Sequence, residues 1–275
     1  MLFATLATNE QLPHAIRLAK SVKQHHPEAR MVLCLIDYHL PAEHTAVFDE
    51  VLHISRQEHP KGNQAGGGRG PAKAYFIKYL LNRCLDDIIY LDAETIVVSR
   101  FEEVFALLRE HPIVAVPFNL EPYPKEHDHR EIERLRRGFI DSGCLALKNS
   151  IHARQFADWW SKRVDRTAYC ADESEGTDHL WLSLALMPFR IRLMKEPGYR
   201  FGPWNWHEKK RSLNRQTADG IYFNNGKRLR SFVAPAAYET YQASAVPVDP
   251  RTRSVAEALL ANMEQQLEQI RQTLP

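Results

Sequence analysis

The chain has 275 residues, of which 44% are hydrophobic and 25% are charged, and its formal net charge is +2 at pH 7. This length and hydrophobic content suffice for one large domain with a buried core. The near balance of charges does not favour nucleic acid as a partner. No apolar run reaches the roughly 20 residues of a membrane-spanning helix, so we expect no transmembrane segment. We expect a cytoplasmic protein, with peripheral contact at the inner face of the membrane left open.

Strand and helix signals alternate through the first half of the chain. Short apolar runs predict strands, and apolar residues spaced by three and four predict helices. The predicted strands are 2–7, 31–36, 51–54, 88–91 and 113–116, and the predicted helices are 13–23, one that begins at Pro71, and 101–108. This order predicts an α/β fold with a mainly parallel, twisted sheet and helices on both faces. Such sheets bind ligands beyond the carboxyl ends of their strands.

The second half is less regular. The charged segment 121–137 is typical of a loop or short helix, and a strand at 139–147 precedes helices at 151–163 and 178–186. Apolar runs at 221–223 and 229–233 flank Asn224-Asn225-Gly226, a turn sequence that predicts a hairpin. Near the C-terminus, apolar residues spaced by three and four predict an amphipathic helix. We expect residues 1–240 to form the main domain and 241–275 an extension that carries this helix.

The segment IIYLDAET places two acidic residues directly after a buried strand. If the chain stays extended there, Asp92 and Glu94 lie on the same face. Two carboxylates at the edge of such a sheet suit a hard divalent cation, Mn²⁺ or Mg²⁺, which would neutralise a departing diphosphate. Acidic pairs after strands are common, however, and taken alone this one is more simply explained by a solvated turn.

Several segments taken together resemble family 8-type glycosyltransferases of a bacterial subgroup. LATNEQLPHAIRLAKSVKQHHP is similar to their first strand and helix, IIYLDAETIVVSRFEEVF to their metal-binding segment, and FIDSGCLALKNS to the strand that lines the donor sugar. TDHLWLSLAL, PGYRFGPWNWHEKK and NNGKRLRSF follow in the same order. The resemblance covers residues 3–235 and rests on the order and spacing of these segments rather than on any one of them.

This resemblance implies a GT-A fold, which is Rossmann-like, and a hexosyltransferase that uses a nucleotide-diphospho-sugar donor, usually UDP-linked. It also implies retention of the anomeric configuration. The acceptor stays open between a glycan, a lipid-linked sugar and a protein, as does the oligomeric state. The implied donor-binding residues are Thr8, Asn9, Asp37, Lys78, Asp92, Ser142 and Gly143, to which the aromatic cluster adds Trp206 and His207. Asp178 and Asp141 are implied near the reacting sugar carbon, and Asp92 and Glu94 as metal ligands.

Ordinary structural roles also explain several of these residues. Asp37 can cap a turn, Lys78 can lie on a solvated helix face, and Asp178 can stabilise a helix N-terminus. The cluster Trp204-Asn205-Trp206-His207 suits either stacking on a sugar or a buried anchor beneath a loop. The basic residues that flank the cluster suit either contact with a phosphate or a solvated surface; they are Arg200, Lys209, Lys210 and Arg211.

Three positions depart from the pattern of the family. Glu94 and Asp141 stand where aspartate and asparagine are usual, and Val233 stands where a histidine should supply the third metal ligand. The ion could then be held by two carboxylates, phosphates and water, by another histidine such as His207, or only weakly. Weak binding allows a nucleotide-sugar-binding protein with reduced turnover. A sugar nucleotidyltransferase is less favoured, because ATNEQLPHA has no glycine after the first strand.

Overall fold

The computed structural model describes residues 1–36, 45–54, 69–167, 177–218, 220–233 and 248–274. The strands within these ranges are β1 (Leu2–Thr8), β2 (Arg30–Ile36), β3 (Glu50–Ile54), β4 (Ile88–Leu91), β5 (Thr95–Val97), β6 (Ile113–Pro117), β7 (Ile140–Leu147), β8 (Ile191–Leu193), β9 (Leu213–Thr217), β10 (Gly220–Phe223) and β11 (Ser231–Val233). The α-helices are α1 (Leu12–His25), α2 (Arg69–Arg83), α3 (Glu102–Glu110), α4 (Asp128–Arg137), α5 (Ile151–Thr167), α6 (Thr177–Ala185) and α7 (Pro250–Arg271).

Seven strands form one sheet in the order β3-β2-β1-β4-β7-β6-β8. The pairs β3–β2, β2–β1, β1–β4 and β6–β8 are parallel, which confirms the prediction of a mainly parallel sheet. β7 is antiparallel to both of its neighbours, β4 and β6. Because β7 runs in the opposite direction, its first residues lie beside the carboxyl end of β4.

Helices cover both faces of this sheet. In β1, Phe3 belongs to one core cluster, whereas Leu2 and Ala4 belong to the other, as expected for a strand buried on both faces. α1 and α3 pack into the first cluster, and α2, α5 and α6 pack into the second. Burial of these apolar side chains is the main favourable contribution to folding.

A smaller layer packs beside the main sheet. β9 pairs with β10, and β5 pairs with β11, both antiparallel. The predicted pairing of 221–223 with 229–233 is therefore wrong for β11, although a turn at Asn224 to Gly226 is present and Leu229 N donates to Ile221 O at 2.8 Å. The sequence could not reveal the partner of β11, because β5 is a three-residue strand with no pattern of its own.

The predicted C-terminal helix is present as α7. Its Ala256 and Met263 pack into the smaller layer, and its Ile270 packs into the core that contains α1. In the parts of the chain that the structure describes, no helix combines the length and the apolar character needed to cross a bilayer.

His26 follows α1 and is completely buried among aromatic rings. Its ring centroid lies 5.0 Å from that of Phe3 and 5.7 Å from that of Phe101. The backbone N of Phe101 donates to Nε2 of His26 at 3.3 Å, which requires this nitrogen to be unprotonated. Burial, assisted by the charge of Arg100, lowers the pKa of His26 to about 4.

We expect the protein to lose stability as the pH falls from about 6.5 to about 4. In this window the unfolded chain binds a proton at His26 that the folded chain excludes, which lowers the free energy of unfolding by up to about 3 kcal/mol. His26→Gln keeps an acceptor for the Phe101 amide but cannot titrate. Its urea midpoint should therefore vary less with pH than that of the wild type; equal pH dependence would contradict the prediction.

Candidate functional site

The carboxyl end of β4 and the first half of β7 form the edge at which the predicted acidic residues meet. Leu91 pairs with Cys144, and Asp92 N donates to Gly143 O at 3.0 Å. A β carbon at Gly143 would lie 2.4 Å from Asp92 Oδ2 and 2.3 Å from Arg200 Nη2. Only glycine fits this close approach without displacing both side chains.

Six polar side chains meet at this edge, and we call them the Asp92 cluster. The cluster consists of Lys73 from α2, Asp92 after β4, Asp141 and Ser142 from β7, Asp178 from α6, and Arg200 from the segment between β8 and β9. The three aspartates and the serine were predicted from the sequence, and the structure brings them together. Lys73 was not predicted, and Arg200 was considered only as a basic residue that contacts phosphate or solvent; the structure buries it.

Lys73 is the centre of one half of the cluster. Its Nζ lies 3.0 Å from Asp92 Oδ1, 2.8 Å from Ser142 Oγ and 3.3 Å from Asp178 Oδ2. Each of the three ammonium protons therefore has an acceptor. Ser142 Oγ in turn donates to Asp178 Oδ2 at 2.6 Å, so the serine links the ammonium to the carboxylate.

Arg200 is the centre of the other half. Its Nε and Nη2 donate to the two carboxylate oxygens of Asp141 at 2.7 and 3.0 Å. Its Nη1 donates to Thr95 Oγ1 at 2.7 Å, and its Nη2 lies 3.8 Å from Asp92 Oδ2. Both Arg200 and Asp141 are buried, so this bidentate, charge-assisted pair is largely removed from water.

The charges of the cluster favour the ionised forms of Asp92, Asp178, Lys73 and Arg200. Burial alone would raise the pKa of Asp178, but its interactions with His179 and Lys73 outweigh burial and the net shift is downward. Burial likewise opposes ionisation of Asp92, whose pKa is lowered by Lys73 and then Arg200. The two cations have raised pKa values in spite of their burial, because they face these carboxylates. Three carboxylates and two cations leave one net negative charge.

The backbone at Arg200 is held in an uncommon conformation. Its φ is 55°, in the left-handed region, which costs a residue with a β carbon roughly 1–2 kcal/mol. Asn205 Nδ2 and Arg211 Nη1 donate to the carbonyl of Arg200 at 3.0 and 3.2 Å, and the backbone N of Arg200 donates to Ser231 Oγ at 2.9 Å. These buried hydrogen bonds maintain the left-handed conformation and thereby fix the backbone position from which the Arg200 side chain extends.

The segment Trp204 to His207 is mainly a buried anchor. Trp206 is 5% exposed and stacks on Phe201, with 6.0 Å between the ring centroids. His207 stacks on Tyr123 at 4.4 Å, and burial lowers the pKa of His207 to about 4. Neither side chain is a member of the Asp92 cluster, so a donor-binding role for them stays a prediction. The half-buried ring of Trp204 is nearer, with its centroid 5.7 Å from Cζ of Arg200.

Lys78 is not brought to the cluster. Its Nζ pairs with Asp158 of α5 at 2.7 Å. Lys73, on the same helix, lies close to Asp92 instead. A sequence signal for this exists, because Lys73 falls in line with the fully buried Ile77 and Leu80 at spacings of four and three. A lysine on the apolar face of a helix needs a buried partner.

Glu94 does not converge with Asp92, because the chain turns instead of remaining extended. Thr95 N donates to Asp92 O at 2.9 Å, which closes a tight turn. Oε1 of Glu94 accepts a hydrogen bond from Gln11 Nε2 at 2.7 Å. The expectation of an extended segment with both carboxylates on one face is therefore wrong.

The residues predicted to hold the nucleotide lie at the end of β1, near Glu94. Thr8 N donates to Oε1 of Gln11 at 3.3 Å, and the same amide group bonds Glu94. The Oδ1 atom of Asn9 is buried and has no hydrogen-bond partner among the described residues. It is thus an acceptor that a bound ligand could satisfy. Asp37 lies outside the described residues.

The two predicted metal-binding carboxylates fit a divalent cation poorly. Asp92 Oδ1 already accepts from Lys73 at 3.0 Å and from the Tyr90 hydroxyl at 3.0 Å. Glu94 is bonded to Gln11. Coordination by Asp92 and Glu94 together would require both the turn and these hydrogen bonds to change.

The third ligand is also missing. Val233 lies opposite Thr95 in the β11–β5 pair, and its side chain has no atom that could bind a metal. His207, the alternative ligand, stacks on Tyr123. Across the ranges that the structure describes, no group of three or more His, Cys, Asp and Glu side chains could hold a metal ion. Binding of Mn²⁺ or Mg²⁺ stays a prediction.

Similarity to solved structures confirms the predicted GT-A fold. The galactosyltransferase LgtC in complex with donor and acceptor sugar analogues aligns with a TM-score of 0.52 and 13% identity over 92% of this chain and 99% of that chain. An active-site mutant of LgtC aligns with a TM-score of 0.55 and 14% identity over the same shares. The glycosyltransferase GlyE of Streptococcus pneumoniae TIGR4 aligns with a TM-score of 0.46 and 16% identity over 71% of this chain, which spans 45% of the GlyE chain. No family model and no curated protein matches the sequence.

Removal of the Asp141 carboxylate should destabilise the fold strongly. Asp141→Ala leaves Arg200 buried without its bidentate partner, and we expect a loss of about 3 kcal/mol in the free energy of unfolding, measured by urea titration. Glu133→Ala is the control, because Glu133 forms an exposed pair with Arg137 at 3.2 Å. It should cost less than about 1 kcal/mol. Equal losses in the two variants would show that the buried pair does not stabilise the protein.

Proposed function

We propose that the chain is a glycosyltransferase that transfers a hexosyl group from a nucleotide-diphospho-sugar, with uridine as the nucleoside, to a hydroxyl group of an acceptor. The observation that carries the proposal is the Asp92 cluster. Four residues that the family resemblance implied from three separate segments meet there, at the carboxyl end of β4 on a GT-A fold. Sheets of this type bind their ligands beyond the carboxyl ends of the strands.

The nucleoside would lie at the end of β1. The buried Oδ1 of Asn9 is an acceptor for a donor group of the base or ribose. Gln11 connects this end of β1 to the turn after Asp92, so the nucleoside and the sugar would occupy adjacent parts of one site. The absence of a side chain at Gly143 lets Asp92 and Arg200 lie against β7, at the place where the sugar would bind.

The transfer breaks the bond between the anomeric carbon and the diphosphate oxygen and forms a bond from that carbon to the acceptor oxygen. The acceptor hydroxyl loses its proton to the departing diphosphate. Positive charge develops at the sugar ring as the diphosphate departs. Asp178 is buried and held ionised by Lys73 and Ser142, so its fixed negative charge suits stabilisation of that ring. Asp141 would act mainly by holding Arg200. Retention of configuration is proposed from the resemblance.

A protein that binds a nucleotide-sugar with little turnover is the second candidate. Two observations favour it. Val233 stands where a histidine metal ligand is expected, and Glu94 is hydrogen-bonded to Gln11 instead of lying on the same face as Asp92. The two candidates share the donor site. They differ only in whether the bond between the anomeric carbon and the diphosphate is broken.

UDP-linked sugars should raise the thermal midpoint of the protein, because they bind the folded state only. The wild type should also release UDP from one of them, measured by chromatography. Asp178→Asn should lower the rate at least about 100-fold while the donor dissociation constant changes much less, because it removes a charge that acts on the transition state. Asp158→Asn, which alters the partner of Lys78 on α5, is the matched control and should change neither quantity.

Each outcome separates the candidates. A midpoint that no nucleotide-sugar shifts would contradict both. Binding without release of UDP, in the presence of a range of acceptors and of Mn²⁺ or Mg²⁺, would support the second candidate. A similar loss of rate in Asp178→Asn and Asp158→Asn would remove Asp178 from the reaction.

A further inference from the structure

We propose that Arg200 takes the place of the divalent cation at the diphosphate, so that nucleotide binding by this chain does not require a metal ion. This inference rests on the proposed function, since it concerns the diphosphate of the same donor. It goes beyond that function by assigning the positive charge at the site to the polypeptide.

The position of the guanidinium supports this assignment. Val233, which stands where the third metal ligand is expected, lies opposite Thr95, and Nη1 of Arg200 donates to Oγ1 of Thr95 at 2.7 Å. Nη2 of Arg200 lies 3.8 Å from Oδ2 of Asp92, the first predicted ligand. The guanidinium therefore lies beside Asp92 and beside Thr95, which pairs with Val233. These are the positions at which an ion would have been held.

Arg200 is also fixed in place, as a substitute for a bound ion must be. Asp141 holds it through two hydrogen bonds, and its side chain is only 6% exposed. Its left-handed backbone is maintained by buried hydrogen bonds from Asn205 and Arg211. Backbone strain of this kind persists where the surrounding contacts over-determine it, and it clusters at functional sites.

The guanidinium keeps donors for a ligand. Of its five N–H groups, one on Nε and one on Nη2 donate to Asp141, and one on Nη1 donates to Thr95. One N–H on each Nη remains, of which that on Nη2 lies on the side of Asp92, and a guanidinium with two such groups can donate to the oxygens of a phosphate. All three protons of Lys73 already have acceptors, so Arg200 is the cation of the cluster that can donate to a diphosphate.

Electrostatics within the cluster oppose a divalent ion at the same place. An ion about 2.1 Å from Asp92 Oδ2 would lie within about 6 Å of the Arg200 guanidinium. At this separation the charges of +2 and +1 repel each other. Lys73 adds a second repulsion from the side of Oδ1. Asp141 and Asp178 face these two cations and Asp92 itself lies 3.0 Å from Lys73, so each carboxylate of the cluster already has a cation beside it.

Isothermal titration of the wild type with UDP tests the proposal directly. We expect the dissociation constant in EDTA to lie within about threefold of that in excess Mn²⁺ or Mg²⁺, and we expect no ternary Mn²⁺ complex by electron paramagnetic resonance. A tenfold or greater weakening in EDTA would overturn this inference and leave the proposed function intact. Absence of UDP binding under every condition would refute the proposed function and this inference with it.

A pair of single variants tests whether Arg200 is the residue that binds the diphosphate. Arg200→Gln should weaken UDP binding at least tenfold, and Mn²⁺ should not restore it. Arg230→Gln is the control, because Arg230 is another mostly buried arginine in an ion pair, with Glu103 at 2.6 Å, outside the Asp92 cluster. Its UDP affinity should stay within about threefold of the wild type. Equal effects of the two substitutions would overturn the assignment; if Arg200→Gln does not fold, the EDTA titration of the wild type still decides.

A double variant tests whether Arg200 lies where the ion would bind. Val233→His combined with Arg200→Gln removes the cation and restores the missing ligand beside Thr95. We expect its UDP affinity to rise at least tenfold when Mn²⁺ is added, in contrast to the wild type. An affinity that does not respond to Mn²⁺ would contradict the placement of Arg200 where the ion would bind.

Discussion

The buried ion pair between Arg200 and Asp141 connects the elements that build the site. Arg200 belongs to the segment after β8, Asp141 to β7 and their neighbour Thr95 to β5, so three distant parts of the chain meet at one guanidinium. Neither charge could be buried alone, since a lone buried ion costs several kcal/mol. The same guanidinium lies beside Asp92, and the position of that carboxylate therefore depends on the pair.

The segment that follows Arg200 provides the support for this pair. Asn205 donates to the carbonyl of Arg200 and also to that of Phe118 at 3.1 Å, and Trp206 packs into the core of the smaller layer. Arg211 is fully buried, pairs with Glu208 at 2.9 Å and donates to the Arg200 carbonyl. Aromatic burial and a second internal ion pair thus stabilise a backbone conformation that is unfavourable in isolation.

The three residues that differ from the pattern of the resembled glycosyltransferases have defined contacts in the structure. Asp141, which stands where asparagine is usual, gives Arg200 a counter-charge. Val233, which stands where histidine is usual, pairs with Thr95 across β11 and β5 and carries no charge. Glu94 bonds to Gln11 and connects the turn to the end of β1. Read singly from the sequence, these substitutions look like losses from a metal site. Together they describe a site whose positive charge belongs to the protein, as we propose.

The sequence by itself determined the elements of the first half apart from β5, because the periodicity of apolar residues is a local property that burial on two faces requires. It also selected Asp92, Asp141, Ser142 and Asp178, because each lies in a segment with a recognisable pattern. Only the tertiary structure decided the direction of β7, the pairing of β11 with β5, and the choice of Lys73 over Lys78. An apolar run carries no direction. From the sequence, a basic residue such as Arg200 can lie either on the surface or in the core. Its partners Asp141 and Thr95 are 59 and 105 residues away and come into contact with it only after folding.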